Sequence, residues 1–171
     1  MRLIDLFTSG VHTTEIARRM GRGVGGIFNR TRKLRQQGAL SHLLTVGELA
    51  VIFNREHSGM VRIIRSGLMG PPVVLGGKYA WALEKSTLTQ WCMSDASFGL
   101  DLDRIPPSKW RMMLAESREG VEILTPREYA RRFHYDRMYI YALIRDGKVD
   151  AIPHVGGRGR EYRIVIRKEA A

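Results

Sequence analysis

Slid along itself by 80 residues, the chain matches without a gap: LTVGELAVIFNREHSGMVRIIRSGL from Leu44 lies over LTPREYARRFHYDRMYIYALIRDGK from Leu124. Leu, Thr, Glu, Ala, Phe, Ile, Arg and Gly recur at 44/124, 45/125, 48/128, 50/130, 53/133, 64/144, 65/145 and 67/147, and the pair Gly76-Gly77 returns as Gly156-Gly157. A chain of 171 residues that carries one plan twice is expected to fold as small repeated units, each with its own modest core.

The shared residues have a physical reading. Thr125-Pro126-Arg127-Glu128 supplies an N-cap, a proline at the first helical position and the glutamate of a capping box, so a helix starts there. Tyr129, Ala130 and Phe133 then share one helical face, and Ile140, Leu143 and Ile144 repeat that spacing on a second helix. The turn between them holds Asn54 in one copy and His134 in the other, types enriched at positive φ. A shift of 33 residues adds a third occurrence, in which Glu15, Ile16, Ala17 and Met20 match Glu48, Leu49, Ala50 and Phe53. Gly21 takes the turn position there, and glycine accepts positive φ most readily. This first unit reads as helices over 3–9, 13–20 and 22–37, closed by Gly38, with His12 at the cap and no paired strands of its own.

β-prone runs at 149–154 and 161–166 flank Gly-Gly-Arg-Gly, which predicts a hairpin wing with cations at its tip. The middle unit has a shorter version, 73–75 and 78–83 around Gly76-Gly77, followed by a short helix over 84–91. The linker holds Asp95, Asp101 and Asp103, then Pro106-Pro107 and a helix whose Trp110, Met113 and Leu114 share a face. That helix serves either as a connector packed on a neighbouring unit or as a self-association surface. The expected fold is mainly α with small β wings: three tandem helix-turn-helix units, the last two winged, divided as 1–43, 44–91, a linker over 92–123, and 124–171.

The pattern T-P-R-E-Y-A-R-R-F, then I-Y-A-L-I-R-D-G-K-V, then a Gly-rich basic wing, resembles the winged helix-turn-helix domains of phage excisionases and MerR-type regulators. Unit one separately resembles the simple helix-turn-helix domains of regulators and recombinases. The resemblance implies a non-enzymatic protein whose partner is double-stranded DNA. It would serve as a transcriptional regulator of a phage or mobile element, as a recombination directionality factor, or as the DNA-recognition subunit of a packaging or replication machine.

Charge agrees. The net charge is +11, and most of the 28 basic residues are Arg, which favours bidentate contact with phosphate or guanine. The excess is segmental: 8 basic against 2 acidic residues in 1–43 and 11 against 6 in 124–171, but 5 against 3 in 44–91 and 4 against 6 in 92–123. Units one and three are therefore expected to be the principal DNA readers, with unit two as a weaker contact or spacer. The competing readings are a basic surface that only solubilises, and winged units that bind protein.

The second helix of such a pair enters the major groove. The positions that face outward are Arg22, Gly25, Gly26, Asn29, Arg30 and Lys33 in unit one. In unit two they are Arg55, His57, Ser58 and Arg62, with Lys78 in the wing. In unit three they are Tyr135, Arg137, Met138 and Tyr141, with Arg158 and Arg160 in the wing. Asn29 suits adenine, Arg22 and Arg30 suit guanine, and the glycines allow close backbone approach. Arg65 and Arg145 either join this face or cap the ends of their helices.

Other chemistry finds little support. Gly21, Gly23 and Gly26 spell G-x-G-x-x-G, but after a helix and not after the strand that a dinucleotide site needs. Gly76-Gly77-Lys78 fails the phosphate-loop pattern, and one cysteine with five scattered histidines gives no zinc spacing. No catalytic residue, cofactor or metal is expected. Beyond DNA, self-association or a recombinase or polymerase partner is conceivable. No apolar stretch approaches a membrane span, so a cytoplasmic, nucleoid-associated location is expected.

Overall fold

Caps and turns place the helices. The computed structural model describes residues 2–76, 81–155 and 161–167. Its elements in chain order begin with α1 (Leu3–Thr8), α2 (Thr13–Arg19), α3 (Val24–Gln36), β1 (Leu43–Thr45), α4 (Val46–Ile52) and α5 (His57–Arg65). They continue with β2 (Val73–Val74), β3 (Trp81–Glu84), α6 (Lys85–Cys92), two 3-10 turns (Asp95–Gly99 and Leu102–Arg104) and α7 (Lys109–Glu116). The last are β4 (Val121–Leu124), α8 (Pro126–Arg132), α9 (Arg137–Arg145), β5 (Ala151–Pro153) and β6 (Tyr162–Arg167). The fold is mainly helical with two small three-stranded antiparallel sheets.

The repeat is visible in the backbone. α4 and α5 recur as α8 and α9 with both bounds shifted by 80 residues, and α2 with the start of α3 precedes α4 and α5 by 33. In each pair a seven-residue helix is followed by a short link whose second residue is left-handed: Gly21 at φ 60°, Asn54 at 48°, His134 at 57°. The next N–H, of Arg22, Arg55 or Tyr135, donates at 2.9 Å to the carbonyl of Ala17, Ala50 or Ala130. That bond reaches back across the last turn, a Schellman closure, and it ends the first helix at the same place each time.

The capping boxes repeat as well. The Thr45 N–H donates to Glu48 at 2.7 Å, and the Glu48 N–H to the Thr45 hydroxyl at 3.4 Å; the equivalent pair at Thr125 and Glu128 measures 2.7 and 3.2 Å. These bonds from Thr125 hold the Glu128 carboxyl below its usual range. Burial alone would raise the Glu48 carboxyl, but the bonds from Thr45 and the Arg35 guanidinium outweigh it and lower it too. In the first unit the His12 ring stands at the cap and accepts from the Thr14 N–H.

The sheets share one topology, β1-β3-β2 and β4-β6-β5, with Leu44 opposite Leu83 and Ile123 opposite Val165. β2 and β5 fall inside the expected wing segments and β3 and β6 overrun theirs by one residue, at Glu84 and Arg167, whereas β1 and β4 are additions to the sequence reading. They run directly into the capped helices α4 and α8, so each sheet anchors the start of a helix pair. The wing tips, with Lys78, Arg158 and Arg160, lie outside the described residues.

The chain divides into two compact units, Met1–Val51 with Arg55–Leu88, and Ile52–Asn54 with Thr89–Ala171. In the first, Leu3, Leu6, Ile16, Ala17 and Ile27 close a helical core, while Ile4 and Phe7 of α1 pack on Leu43, Leu75 and Ala82 of the neighbouring sheet. The Gly76 N–H donates to the Phe7 carbonyl at 2.9 Å; a Cβ at Gly76 would lie 2.7 Å from the Val11 carbonyl oxygen. The expected boundary after residue 43 thus falls within β1, and α1 shares a core with the second copy's sheet.

In the second unit, Ala130, Ile140 and Ile164 form the core of the helix pair and its sheet. The segment preceding it packs on that sheet. The Val155 N–H donates to the Gly99 carbonyl at 2.9 Å, Arg163 donates to Asp101 at 2.6 Å, and Trp110 and Leu114 of α7 are buried. Asp101, which with Asp103 reads as an isolated acidic pair in the sequence, is in fact tied to β6. Burial would raise its carboxyl, but Arg163 first, and then His154 and Arg104, hold it below the usual range.

Thr125→Ala removes the cap hydroxyl and should cost about 1 kcal/mol in denaturant unfolding. The advantage of the wild type over Glu128→Gln should be whole at neutral pH, because the folded pKa is depressed, and should shrink as pH falls through the carboxylate range. Denaturant midpoints at both pH values check this; an advantage independent of pH would contradict it. At the left-handed link, His134→Gly should be tolerated while His134→Val loses about 1–2 kcal/mol.

Candidate nucleic-acid interface

The cations sort into engaged and available ones. Between the two copies all four are engaged: Arg104 pairs with Asp101, Lys109 lies 4.8 Å over the Trp110 ring, and Arg111 donates to the Ile105 carbonyl at 2.8 Å. Arg118 donates to the carbonyls of Ser97 and Leu100 at 2.8 and 3.1 Å, and burial pushes its guanidinium below the ordinary value. Arg132, Arg145, Arg163 and Arg167 are paired with Glu122, Asp146, Asp101 and Asp95. Arg18 and Arg19 both hold Glu15, whose carboxyl their hydrogen bonds depress to about 2.

Among the described residues, no ion pair involves Arg22, Arg30, Arg32 or Lys33 around α3, Arg62 on α5, or Arg127 and Arg137 around α8 and α9. Surface guanidiniums with no internal carboxylate keep their charge for an outside anion.

On α3 the core side is Ile27, with Leu34 packed against the same cluster. Arg22, Gly25, Gly26, Asn29, Arg30 and Lys33 are all exposed. Arg22 and Arg30 meet Arg2 around a cleft of about 340 Å³ floored by Leu3, Ile27 and Leu34. A Cβ added to Gly25 or Gly26 would meet nothing within 4 Å. Packing therefore does not require these helical glycines, although each costs roughly 1 kcal/mol of helix stability relative to Ala.

On α5, Ser58, Arg62 and Arg65 line a shallow cleft of about 430 Å³, with His57 exposed in the first turn and Arg55 half-buried on the link. Arg65 lies 5.9 Å over the Trp81 ring, so a ring and not the helix end holds it. On α9, Arg137 lies 6.0 Å over the Tyr141 ring. Together with Arg127, Tyr162 and Arg163 they surround a cleft of about 350 Å³. Tyr135 meets Tyr139 at a tilt of 55° with centroids 5.5 Å apart, both about half exposed, and Tyr141 is partly exposed, so neither Tyr139 nor Tyr141 is a core residue.

Arg2, Arg127, Tyr162 and Arg163 join these clusters without having been singled out in the sequence. Arg127 sits inside the capping motif and Tyr162 and Arg163 inside a strand, where local pattern signals structure before surface. Cys92 is buried and burial pushes its thiol up to about 12, which keeps it protonated at neutral pH. Among the described residues no three His, Cys, Asp or Glu side chains gather as a metal site, and no helix is long and apolar enough to cross a membrane.

No known protein family matches the chain, and neither does any curated protein or solved structure.

Because none of the described residues fills the space over Gly25 and Gly26, Gly25→Ala and Gly26→Ala should each raise stability, by up to about 1 kcal/mol, in thermal or denaturant unfolding. A loss of stability in both would show that α3 needs those glycines for its own packing.

Proposed function

We propose that this chain is a sequence-specific double-stranded DNA-binding protein built on three helix-turn-helix units, the second and third winged, and that it regulates transcription in a phage or mobile element. One observation carries the reading: the helix–link–helix geometry occurs three times, and each second helix bears at least one exposed cation in no ion pair among the described residues, Arg30, Arg32 and Lys33 on α3, Arg62 on α5 and Arg137 on α9. In that geometry the first helix rests on the phosphate backbone and the second lies in the major groove.

The roles follow from chemistry at each position. Asn29 suits bidentate contact with adenine, and Arg22, Arg30, Arg62 and Arg137 suit guanine or phosphate. Gly25 and Gly26 let the groove wall approach the α3 backbone, which accounts for residues that folding alone disfavours. Lys33, Arg55, His57, Ser58 and Tyr135 flank these readers and serve to fix register on the backbone. Lys78, Arg158 and Arg160, by their place in the wings, suit a phosphate or a minor groove. No covalent step is involved, and the activity is occupancy of a site.

The test is binding of the intact chain to duplexes enriched from a random library, followed by fluorescence anisotropy across a salt series. The affinity should fall steeply with salt, with a log–log slope of about −0.9 per phosphate contact. Arg30→Ala should weaken the enriched site about tenfold or more while weakening random duplex less, and the helix-stabilising Gly25→Ala should weaken it as well. Failure to enrich any sequence, or an affinity indifferent to salt, would contradict the reading.

A further inference from the structure

The two longer copies can be compared position by position, and the outward faces of their second helices differ in kind. Ser58, Val61, Arg62 and Arg65 line the cleft on α5. At the 80-residue offset these positions become Met138, Tyr141, Ala142 and Arg145, and all four line a groove of about 490 Å³ on α9. The far wall of that groove is also largely apolar, formed by Ala151 and Pro153 of β5. Its one cation, Arg145, is paired with Asp146 at 3.0 Å. Met138 is 75% exposed, so the chain itself does not cover this face.

A helix placed in the major groove with such a face has no guanidinium where α5 has Arg62, whose N–H groups would meet base acceptors. The groove edge of a base pair carries one apolar group, the C5 methyl of thymine. Covering Met138, Tyr141 and Ala142 against thymine methyls removes apolar area on both sides, and the small Ala142 leaves room for a methyl to approach the helix. Arg137 and Arg127 line the neighbouring cleft, which shares Tyr141 and Tyr162 with this groove; they take part in no ion pair among the described residues and suit flanking phosphates.

We propose, resting on the DNA-binding reading above, that α9 recognises a run of thymines through Met138, Tyr141 and Ala142, whereas α5 reads through hydrogen bonds from Arg62. The two copies thus divide one ancestral surface into an apolar and a polar reader, and the preferred site is asymmetric, with a thymine-rich segment assigned to the third unit.

The experiment uses the intact chain and the duplex it enriches from a random library, with thymines replaced segment by segment by deoxyuridine. Deoxyuridine keeps every hydrogen-bonding group and removes only the methyl. Affinity should fall about fourfold for each contacted methyl, the equivalent of one buried carbon group. The loss should be confined to one segment and should largely vanish in Met138→Gln, whose exposed position leaves folding intact. An enriched site that binds equally well with deoxyuridine throughout, or a Met138→Gln protein as sensitive to the replacement as the wild type, would overturn this inference and leave DNA binding standing. Enrichment of no sequence at all would overturn both.

Discussion

Everything in this chain turns on a backbone hydrogen bond that occurs three times, from the residue after a left-handed link position back to an alanine carbonyl one turn inside the preceding helix. It stops each first helix after seven residues and fixes the direction in which the second one leaves. The surrounding choices serve it. A small residue, Ala17, Ala50 or Ala130, stands where the second helix closes over the first, and glycine, asparagine or histidine takes the one position at which positive φ is required. With two short helices held at a set angle, small cores suffice, as Ala130, Ile140 and Ile164 show in the third copy.

Around that constant frame the copies have diverged in charge. The acidic stretch between them neutralises part of the last strand: Asp95 and Asp101 take Arg167 and Arg163, so these arginines hold structure together. Arg30, Arg32 and Lys33 of α3 have no such partner among the described residues, and the helix spends stability on two glycines that its own packing does not ask for. A surface that is locally unfavourable and left charged is best understood as shaped for something outside the chain. Under the proposed function, that is a nucleic acid.

The helices and links were legible because their signals are local. Thr125, Pro126 and Glu128 announce a helix start, and Gly21, Asn54 and His134 announce the turn. The strands β1 and β4 were not, because three residues such as Leu43-Leu44-Thr45 find their hydrogen-bonding partners some forty positions later, at Ala82 to Glu84. For the same reason the expected boundary after residue 43 falls in the middle of a strand, and Asp101 read as isolated although Arg163 lies against it. The candidate site was legible as a set of outward positions on α3, α5 and α9. What each arginine does there depended on where the carboxylates went, which no spacing rule reveals. The contrast between Arg62 and Ala142 was present in the aligned sequences, yet it gains meaning only once each is seen to line the cleft on its own helix, α5 or α9.

The central claim, that the second helix of each pair is the surface that meets DNA, is tested most directly by titrating an isotopically labelled chain with its enriched duplex and following backbone amide shifts by NMR. The account predicts the largest changes at residues 22–33, 57–65 and 137–145, with α7 unaffected. Changes concentrated on α7 and the segment preceding it, with those three faces unmoved, would contradict it.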